Sequence, residues 1–344
     1  LRCLDLATGE EQWRYTYEAP GHTGHSGSRT TPTVDEQYVY TVGLMGDFLC
    51  VDRKTHEPVW HKNIFDDYGS DVPKWGAAQS PSFYQDLVVL APQAQDAFVA
   101  AYDRKTGEEK WRSPGIGGVG YVTPKVTTLC GEDQAVMVSA SEKSGKGRVA
   151  GFSMIDGTLL WSYDGWQCHI PIPYPTPLPD NRLFVTGGYG AGSVMIQVKQ
   201  HGDAWSVEEL WRLDADECGS QIHQPILYEN HLYLNSNSNE REDGMQCVTL
   251  DGKVLWRTSD IDDAPTFERG NLLLADKRIL NLHGRRGTLH YIDPLPAGYK
   301  ERETTRPLRG PKAWSPMALS DGKLVLRNQR EMICLDLRNP EAPS

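Results

Sequence analysis

The sequence predicts an all-β fold, a propeller of four-stranded antiparallel blades, and three observations lead to this prediction. A motif made of an apolar run, Asp, a Thr-Gly turn and Trp recurs along the 344 residues. Between its copies lies a second pattern, in which Pro opens two short stretches of alternating apolar residues. No stretch shows the periodicity of a long amphipathic helix. A four-stranded unit that repeats at this spacing is typical of a β-propeller.

The first motif predicts the outer two strands of each blade. It reads C-L-D-L-A-T-G-E-E-Q-W at residues 3–13 and recurs at 50–60 and 101–111, with weaker copies later in the chain. Glycine at positions 9 and 107 suits a tight turn, because glycine adopts a positive φ without steric cost. We predict that the large flat Trp rings dock each blade against its neighbour. The six residues concerned are Trp13, Trp60, Trp111, Trp161, Trp211 and Trp256.

The second motif predicts the inner hairpin of each blade, whose four strands we label A to D. β-branched and aromatic residues alternate there between Asp, Asn and Gly turns, as at residues 31–41 and 264–274. We expect the whole chain to form one domain. The predicted full blades are residues 31–63, 80–113, 122–165, 175–213, 224–259 and 264–300, with partial blades at 1–17 and 315–338.

The two ends of the chain determine the predicted number of blades. The chain opens at a C strand and ends just after another, with six full periods between them. This arrangement is three strands short of eight blades. We therefore expect an eight-bladed ring that lacks its N-terminal segment. The alternative is a seven-bladed ring closed by pairing the two terminal halves.

Charge and hydropathy exclude two classes of partner. The chain has 46 acidic and 35 basic residues and a net charge of −11, which repels a polyphosphate backbone. We therefore expect no nucleic-acid partner. No window holds 18 uninterrupted apolar residues, so we expect no transmembrane segment. The chain is expected to be a monomer.

The seven cysteines fit no known cysteine motif. Cys3, Cys50, Cys247 and Cys334 lie in apolar runs and are predicted to be buried, reduced thiols. Cys130, Cys168 and Cys218 lie in loop-like stretches, where pairing stays open. The absence of a C-x-x-C motif argues against zinc-ribbon and thioredoxin-type sites.

The repeat resembles that of the pyrroloquinoline quinone (PQQ)-like propellers. The D-x-x-T-G-x-x-x-W motif is similar to the one in quinoprotein alcohol dehydrogenases and in the lipoprotein of the outer-membrane β-barrel assembly machinery. The segments 22–32, 75–81 and 96–103 look like those of uncharacterised planctomycete-type PQQ-like propellers. The resemblance implies a bacterial protein that is periplasmic or otherwise exported.

Candidate site residues lie just before or at the start of the A strands, which are innermost in a propeller. Ring closure would bring these sequence-distant polar and aromatic groups to a central funnel. A metal could use His25, His169 and His223, but they lie on separate blades without visible orienting partners, so no metal is assigned. The candidate ligand-binding residues are His25, Arg29, Trp75, Gln79, Tyr121, His169, His223 and Trp314.

Two functions remain open. The first is a non-catalytic scaffold that binds a protein, peptide or glycan through the funnel and needs no cofactor. The second, implied by the resemblance, is a PQQ- and Ca²⁺-dependent oxidoreductase. Related dehydrogenases carry a vicinal disulfide beneath the cofactor, and this sequence has no adjacent cysteines. No G-x-S-x-G, phosphate-loop or H-E-x-x-H motif suggests another catalytic activity.

Overall fold

The protein is built almost entirely from β-strands. The computed structural model describes residues 1–24, 27–142, 145–237, 242–310 and 312–338. The helices within these ranges are two single turns of 3₁₀ helix, Asp66–Tyr68 and Thr258–Asp260. Neither has the length or the apolar surface that a bilayer-spanning helix needs.

The chain divides into two compact units, the first comprising Leu1–Cys3 and Gln12–Arg212. It contains four complete sheets, in each of which four consecutive strands pair antiparallel with their sequence neighbours. The strands of these sheets are β3 (Thr33–Val34), β4 (Tyr38–Val42), β5 (Asp47–Asp52) and β6 (Pro58–Asn63); β7 (Ser82–Tyr84), β8 (Leu87–Leu90), β9 (Ala100–Asp103) and β10 (Glu109–Arg112); β11 (Lys125–Leu129), β12 (Glu132–Val138), β13 (Val149–Ser153) and β14 (Leu159–Tyr163); and β15 (Thr176–Leu178), β16 (Arg182–Gly187), β17 (Gly192–His201) and β18 (Ala204–Leu213).

The second unit comprises Leu4–Glu11 and the chain from Leu213 onward. It contains two complete four-stranded sheets and one three-stranded sheet. Their strands are β19 (Ile226–Tyr228), β20 (His231–Asn237), β21 (Glu242–Thr249) and β22 (Val254–Arg257); β23 (Asn271–Ala275), β24 (Arg278–Leu282), β25 (Leu289–Asp293) and β26 (Lys300–Thr305); and β27 (Ala318–Ser320), β28 (Lys323–Arg327) and β29 (Met332–Asp336). The remaining strands, β1 (Arg2–Leu4) and β2 (Glu11–Arg14), form a two-stranded sheet.

The fold is an all-β propeller with seven blades, and the prediction of eight was wrong. Strand counting assigned the two ends of the chain to separate blades. However, the segment that follows β1 belongs to the same unit as the C-terminal sheet. Asp5 in that segment lies near enough to Lys323 of β28 for the ammonium charge to help lower the pKa of Asp5. The terminal strands therefore add one blade to the six complete ones.

The aspartate of the repeat closes the turn between strands C and D. Asp103 Oδ1 accepts hydrogen bonds from the backbone N–H groups of Lys105 and Thr106, both at 2.9 Å, and the Gly107 N–H donates to the Asp103 carbonyl at 2.9 Å. The same pattern recurs at Asp5 and Asp52. These donors stabilise the carboxylate, so the pKa of each of the three aspartates is lowered.

A β-bulge lies just before the repeated Trp in several D strands. In β10 the register with β9 shifts between Glu109 and Trp111. Equivalent shifts occur in the pairs β5–β6, β13–β14 and β21–β22, and β26, which has no Trp, shows a similar shift against β25. A bulge adds one residue to a strand and increases its local twist.

The Trp side chains make two kinds of contact. The indole N–H groups of Trp60, Trp111 and Trp256 donate to backbone carbonyls of the following sheet or the loop after its C strand, at 2.9, 3.1 and 3.0 Å. Trp13 stacks on His56, with ring centroids 4.7 Å apart. By contrast, Trp161 donates to Gln134 of its own sheet at 2.6 Å, and Trp211 lies beside Phe184 of its own sheet. A shared role of all six in blade docking stays a prediction.

The A–B hairpin predicted at residues 264–274 is wrong. Phe267, Glu268 and Arg269 all have positive φ, at 62°, 22° and 49°, which breaks any extended strand. The hairpin begins instead at Asn271, and its turn contains Asp276 and Lys277, both with positive φ. Paired positive φ values are characteristic of the type I′ turns that suit tight hairpins.

The core is formed mainly by the B and C strands. In β5, for example, residues 47–51 are buried, whereas every residue of the neighbouring D strand β6 is exposed or partly buried. All seven cysteines are free. Cys50 and Cys247 are buried as predicted. Cys3 is only partly buried, and Cys334 is exposed on β29, the edge strand of its three-stranded sheet, so the prediction was wrong for these two. Burial raises the pKa of the thiols of Cys50, Cys168 and Cys247 to about 12, 12 and 11.

Candidate functional site

The sequence-predicted site residues lie in both units of the chain. Five of them belong to the first unit: Arg29, Trp75, Gln79, Tyr121 and His169. Two belong to the second unit: His223 and Trp314. His25 lies outside the described residues.

In the first unit, Arg29, Trp75 and Tyr121 lie together with Tyr189, a group that we call the Trp75 cluster. The Trp75 and Tyr121 rings have centroids 5.4 Å apart and planes tilted by 47°. Arg29 and Tyr189 are both close enough to Tyr121 to act on the pKa of its hydroxyl. All four side chains are partly exposed. They combine aromatic faces with one guanidinium group.

Tight backbone packing positions the aromatic pair. Gly76, with a φ of 75°, packs so closely that a Cβ would lie 2.5 Å from the Leu44 side chain. The next residue, Ala77, donates its N–H to the Leu44 carbonyl at 2.9 Å. On the other side, the Tyr121 N–H donates to the Pro171 carbonyl at 2.9 Å. Both rings are thus attached to backbone that has little freedom to move.

A buried amide locks the residue before Tyr121. Gln93 accepts the Gly120 N–H at 2.6 Å and donates to the Gly120 carbonyl at 3.1 Å. These two bonds give both the buried N–H and the buried carbonyl of Gly120 a partner. Gln93 therefore holds the Trp75 cluster in place without belonging to it.

Burial is the main electrostatic influence on the cluster. It raises the pKa of Tyr121, against smaller lowering effects from the Trp75 backbone and from Arg29. Burial lowers the pKa of Arg29, and Tyr121 partly offsets this effect. An arginine pKa starts so high that the side chain stays charged. At neutral pH the cluster thus presents a cation and a neutral phenol.

Gln79 and His169 have different surroundings. Gln79 is buried, and its amide is engaged by the backbone of Ala91, which both donates to it and accepts from it at 2.5 Å. His169 is exposed, and its Nδ1 lies 3.1 Å from the Ser141 carbonyl. Neither has a contact with the Trp75 cluster among those described.

In the second unit, Trp314 lies in a charged group that we call the Trp314 cluster, made of Gln221, Glu268, Arg269 and Trp314. The Arg269 guanidinium lies 5.3 Å from the Trp314 ring centre, and its Nε donates to Gln221 Oε1 at 3.0 Å. Arg269 also pairs with the buried carboxylate of Glu268, which accepts the Trp314 indole N–H at 3.3 Å. The cation and the carboxylate of this cluster thus neutralise each other.

His223 lies deep beside this cluster. Its Nδ1 is 3.0 Å from the Asn271 amide nitrogen, whereas its buried Nε2 makes no hydrogen bond of normal geometry within the described ranges. Burial lowers the pKa of His223 to about 4, an effect that a backbone contact with Arg269 only partly offsets. His223 is therefore neutral at pH 7.

Sequence analysis missed Glu268 and Arg269 because it placed them in the polar turn of an A–B hairpin, whereas the structure has them before the first strand of the hairpin. A Cβ on Gly270 would lie 2.3 Å from the Leu282 carbonyl, so only glycine fits between the strained segment and β23. Tyr189 lies between β16 and β17, in the connection between strands B and C.

The residues present do not fit PQQ with Ca²⁺. The free state of Cys168 and Cys218 and the lack of adjacent cysteines leave no vicinal disulfide to support a quinone ring. Calcium needs six to eight oxygen ligands, several of them carboxylates. In the part of the chain that the structure describes, no three His, Cys, Asp or Glu residues converge as a metal site would require. We therefore derive no step through this cofactor.

Known proteins share both the repeat and the fold. Residues 1–167 match the family model described as outer membrane protein assembly factor BamB. The quinohemoprotein alcohol dehydrogenase of Comamonas testosteroni is 26% identical over 120 residues, which cover 33% of this chain and only 16% of that protein. The match therefore extends over only a small part of that enzyme.

Solved structures agree on the architecture. BamB from Moraxella catarrhalis superposes with a TM-score of 0.61 and 13% identity, covering 95% of this chain and 85% of that one. A europium-containing methanol dehydrogenase gives a TM-score of 0.60 and 13% identity, covering 94% and 78%. At such identities the superpositions show the fold alone. Together with the repeat and the family match over residues 1–167, they show that this chain resembles the PQQ-like β-propeller proteins, BamB among them.

Proposed function

We propose that this protein is a non-catalytic scaffold that binds a protein or peptide through the Trp75 cluster. The observation that carries the proposal is the juxtaposition of Arg29, Trp75 and Tyr121 on rigid backbone. Trp, Tyr and Arg are the residue types most enriched among interface residues that dominate binding energy. Rigid positioning also reduces the entropy cost of binding.

The chemistry of the cluster favours a particular kind of peptide. The guanidinium of Arg29 can donate two parallel hydrogen bonds to a carboxylate. The Trp75 ring offers a flat face, and Lys74 Nζ lies 5.2 Å from its centre, which adds a second positive charge. An aromatic residue next to an acidic one would use both features.

The resemblance to BamB supports a protein partner and a place in the cell envelope. The name of that protein describes a factor in the assembly of outer membrane proteins. By analogy, this chain would be exported and would act on other proteins as a binding platform. A glycan ligand, which could also stack on Trp75, is the competing possibility.

Binding to short synthetic peptides tests the proposal. We would titrate the protein into fluorescent peptides that carry Asp-Phe, Lys-Phe or Asp-Ala pairs and follow polarisation. The Asp-Phe peptide is expected to bind best, and Trp75→Ala or Arg29→Ala should weaken its binding by about tenfold, equivalent to about 1.4 kcal/mol. Arg330→Ala, which removes an exposed arginine elsewhere, is the matched control.

Four outcomes would contradict the proposal. Equal affinity for all three peptides, or no effect of either cluster variant, would exclude a specific peptide site at Trp75. Binding of oligosaccharides in place of peptides would assign the cluster to glycans. In a separate experiment, PQQ and Ca²⁺ are added to the protein, and the tryptophan fluorescence is expected to stay unchanged. Quenching of this fluorescence at low PQQ concentration, together with dye-linked oxidation of an alcohol, would favour the oxidoreductase.

A further inference from the structure

A second pocket lies in the first unit, between two neighbouring sheets. Its volume is about 350 Å³. Strands β6, β9 and β10 form its walls together with the 3₁₀ turn Asp66–Tyr68. It is lined by Lys62, Asp67, Tyr68, Tyr102, Glu109 and Arg112. We call it the Tyr68 pocket. This volume is at the small end of the range for pockets that take small molecules.

The aromatic part of the pocket is a fixed, neutral surface. Tyr102 is almost fully buried, and its hydroxyl donates to the Tyr68 hydroxyl at 2.9 Å. The Tyr68 hydroxyl in turn donates to the Glu109 carboxylate. Burial raises the pKa of both tyrosines, so both hydroxyls keep their protons at neutral pH. This chain of bonds holds Tyr68 in one orientation.

The pocket is lined by two cationic and two anionic side chains, but only one cation and one anion form an ion pair with each other. Arg112 Nε donates to Glu109 Oε1 at 3.1 Å, and the Arg112 guanidinium lies 5.6 Å from the Tyr68 ring centre. Lys62 Nζ lies 5.9 Å from the Tyr102 ring centre. Within the ranges that the structure describes, neither Lys62 nor Asp67 forms an ion pair. One cation and one anion therefore remain available to a ligand.

We propose that the Tyr68 pocket binds the zwitterionic head of a free α-amino acid. The ligand carboxylate would pair with Lys62 and its ammonium group with Asp67. A simple anion would be attracted by Lys62 but repelled by Asp67 and Glu109, and a simple cation would meet the opposite difficulty. A zwitterion satisfies both charges at once and leaves the pocket neutral.

The proposal does not depend on the peptide-binding function. The Tyr68 pocket and the Trp75 cluster share no residue, so each can be tested without disturbing the other. An amino-acid site on such a protein would act as a sensor or a carrier. Its affinity is expected to be modest, because the pocket is open and water screens its charges.

Calorimetric titration of the intact chain with related ligands tests the proposal. The probes are L-alanine and L-glutamine, together with N-acetyl-L-glutamine, which keeps only the carboxylate, and L-glutamine amide, which keeps only the ammonium group. Both free amino acids are expected to bind, and both blocked forms are expected to bind at least about tenfold more weakly. Equal binding of the blocked forms, or no binding of either free amino acid, would overturn the proposal.

Substitutions locate the site. Lys62→Gln and Asp67→Asn should each reduce affinity for L-glutamine by about tenfold, because each removes one charge pair. Lys105→Gln and Asp86→Asn make the same charge changes at exposed positions outside the pocket and should change nothing. Thermal melting of each variant checks that the fold is intact. Unaltered affinity in folded Lys62→Gln and Asp67→Asn proteins would place the binding elsewhere and refute the site.

Discussion

At the scale of single residues, His223 couples folding to pH. Its pKa of about 4 in the folded chain lies below the ordinary value of 6.5, so the unfolded chain takes up a proton more readily. The stability that neutral His223 contributes is therefore complete above about pH 6.5 and is lost as pH falls toward 4. The loss should reach about 3 kcal/mol, at 1.4 kcal/mol per pKa unit.

Urea unfolding at pH 7 and pH 5 measures this effect. The free energy of unfolding should fall less for His223→Gln than for the unsubstituted protein, because glutamine does not titrate. His283, whose pKa is also lowered to about 4, would retain its own contribution in that variant. An identical fall in both proteins would show that His223 is not the group responsible.

The candidate site residues were chosen from their positions in the sequence, whereas their surroundings become visible only in the folded chain. Arg29, Trp75 and Tyr121 were selected from their positions before A strands, and they do lie together. Their grouping depends on the pairing of Gly120 with Gln93, a residue 27 positions earlier. Glu268 and Arg269 escaped selection because only the folded backbone reveals three consecutive positive φ values.

At the scale of the element, Gly9 and Gly107 form a matched pair in two C–D turns. Both have positive φ, at 75° and 70°, and therefore pay the same backbone cost on substitution. A Cβ on Gly107 would lie 2.8 Å from the Trp60 ring, whereas a Cβ on Gly9 would meet nothing within 4 Å. We expect Gly107→Ala to be more destabilising than Gly9→Ala by about 1–3 kcal/mol, as for overpacking in a core.

Denaturant unfolding of the two variants measures this difference. Gly9→Ala serves as the control for the φ penalty alone, so the difference isolates the contact between the turn and Trp60. Equal losses would mean that the Trp60 ring moves aside at no cost and does not constrain the turn.

Most hairpins could be predicted because a hairpin is specified by residues that are close together in the sequence. Alternating apolar residues and paired turn residues specify a hairpin within ten positions of sequence. The β-bulge before the Trp could not be read in the same way. One extra residue in a D strand leaves no recognisable mark in the amino-acid sequence. The bulge becomes visible only when the pairing of the D strand with strand C is known.

At the scale of the whole molecule, replacing a Trp that packs between sheets should affect stability, whereas replacing the Trp of the candidate site should mainly affect binding. Trp111 is buried, and its indole N–H donates to Met154 of the next sheet. Trp111→Ala should cost about 3–5 kcal/mol of stability. Trp75 is partly exposed, so Trp75→Ala should cost much less while it weakens peptide binding.

Paired measurements of unfolding and binding separate the two roles. A Trp75→Ala protein that unfolds as readily as Trp111→Ala would mean that Trp75 is part of the framework. A Trp111→Ala protein of normal stability would remove the basis for Trp docking between sheets.

The number of blades was beyond the reach of strand counting. The repeat identifies each blade from its own residues, whereas the count depends on how the two ends of the chain meet. Contact between distant segments leaves no periodic signal at either end. The proximity of Asp5 to Lys323 became apparent only in the folded chain.

The buried thiols of Cys50 and Cys247 provide one natural probe of local opening in each unit. They lie on the central strands β5 and β21, and their raised pKa values keep them protonated and unreactive while the sheets stay closed. An alkylating reagent can reach each sulfur only when its sheet opens. The rate at which each thiol is modified thus reports how often its part of the propeller breathes, without any introduced label.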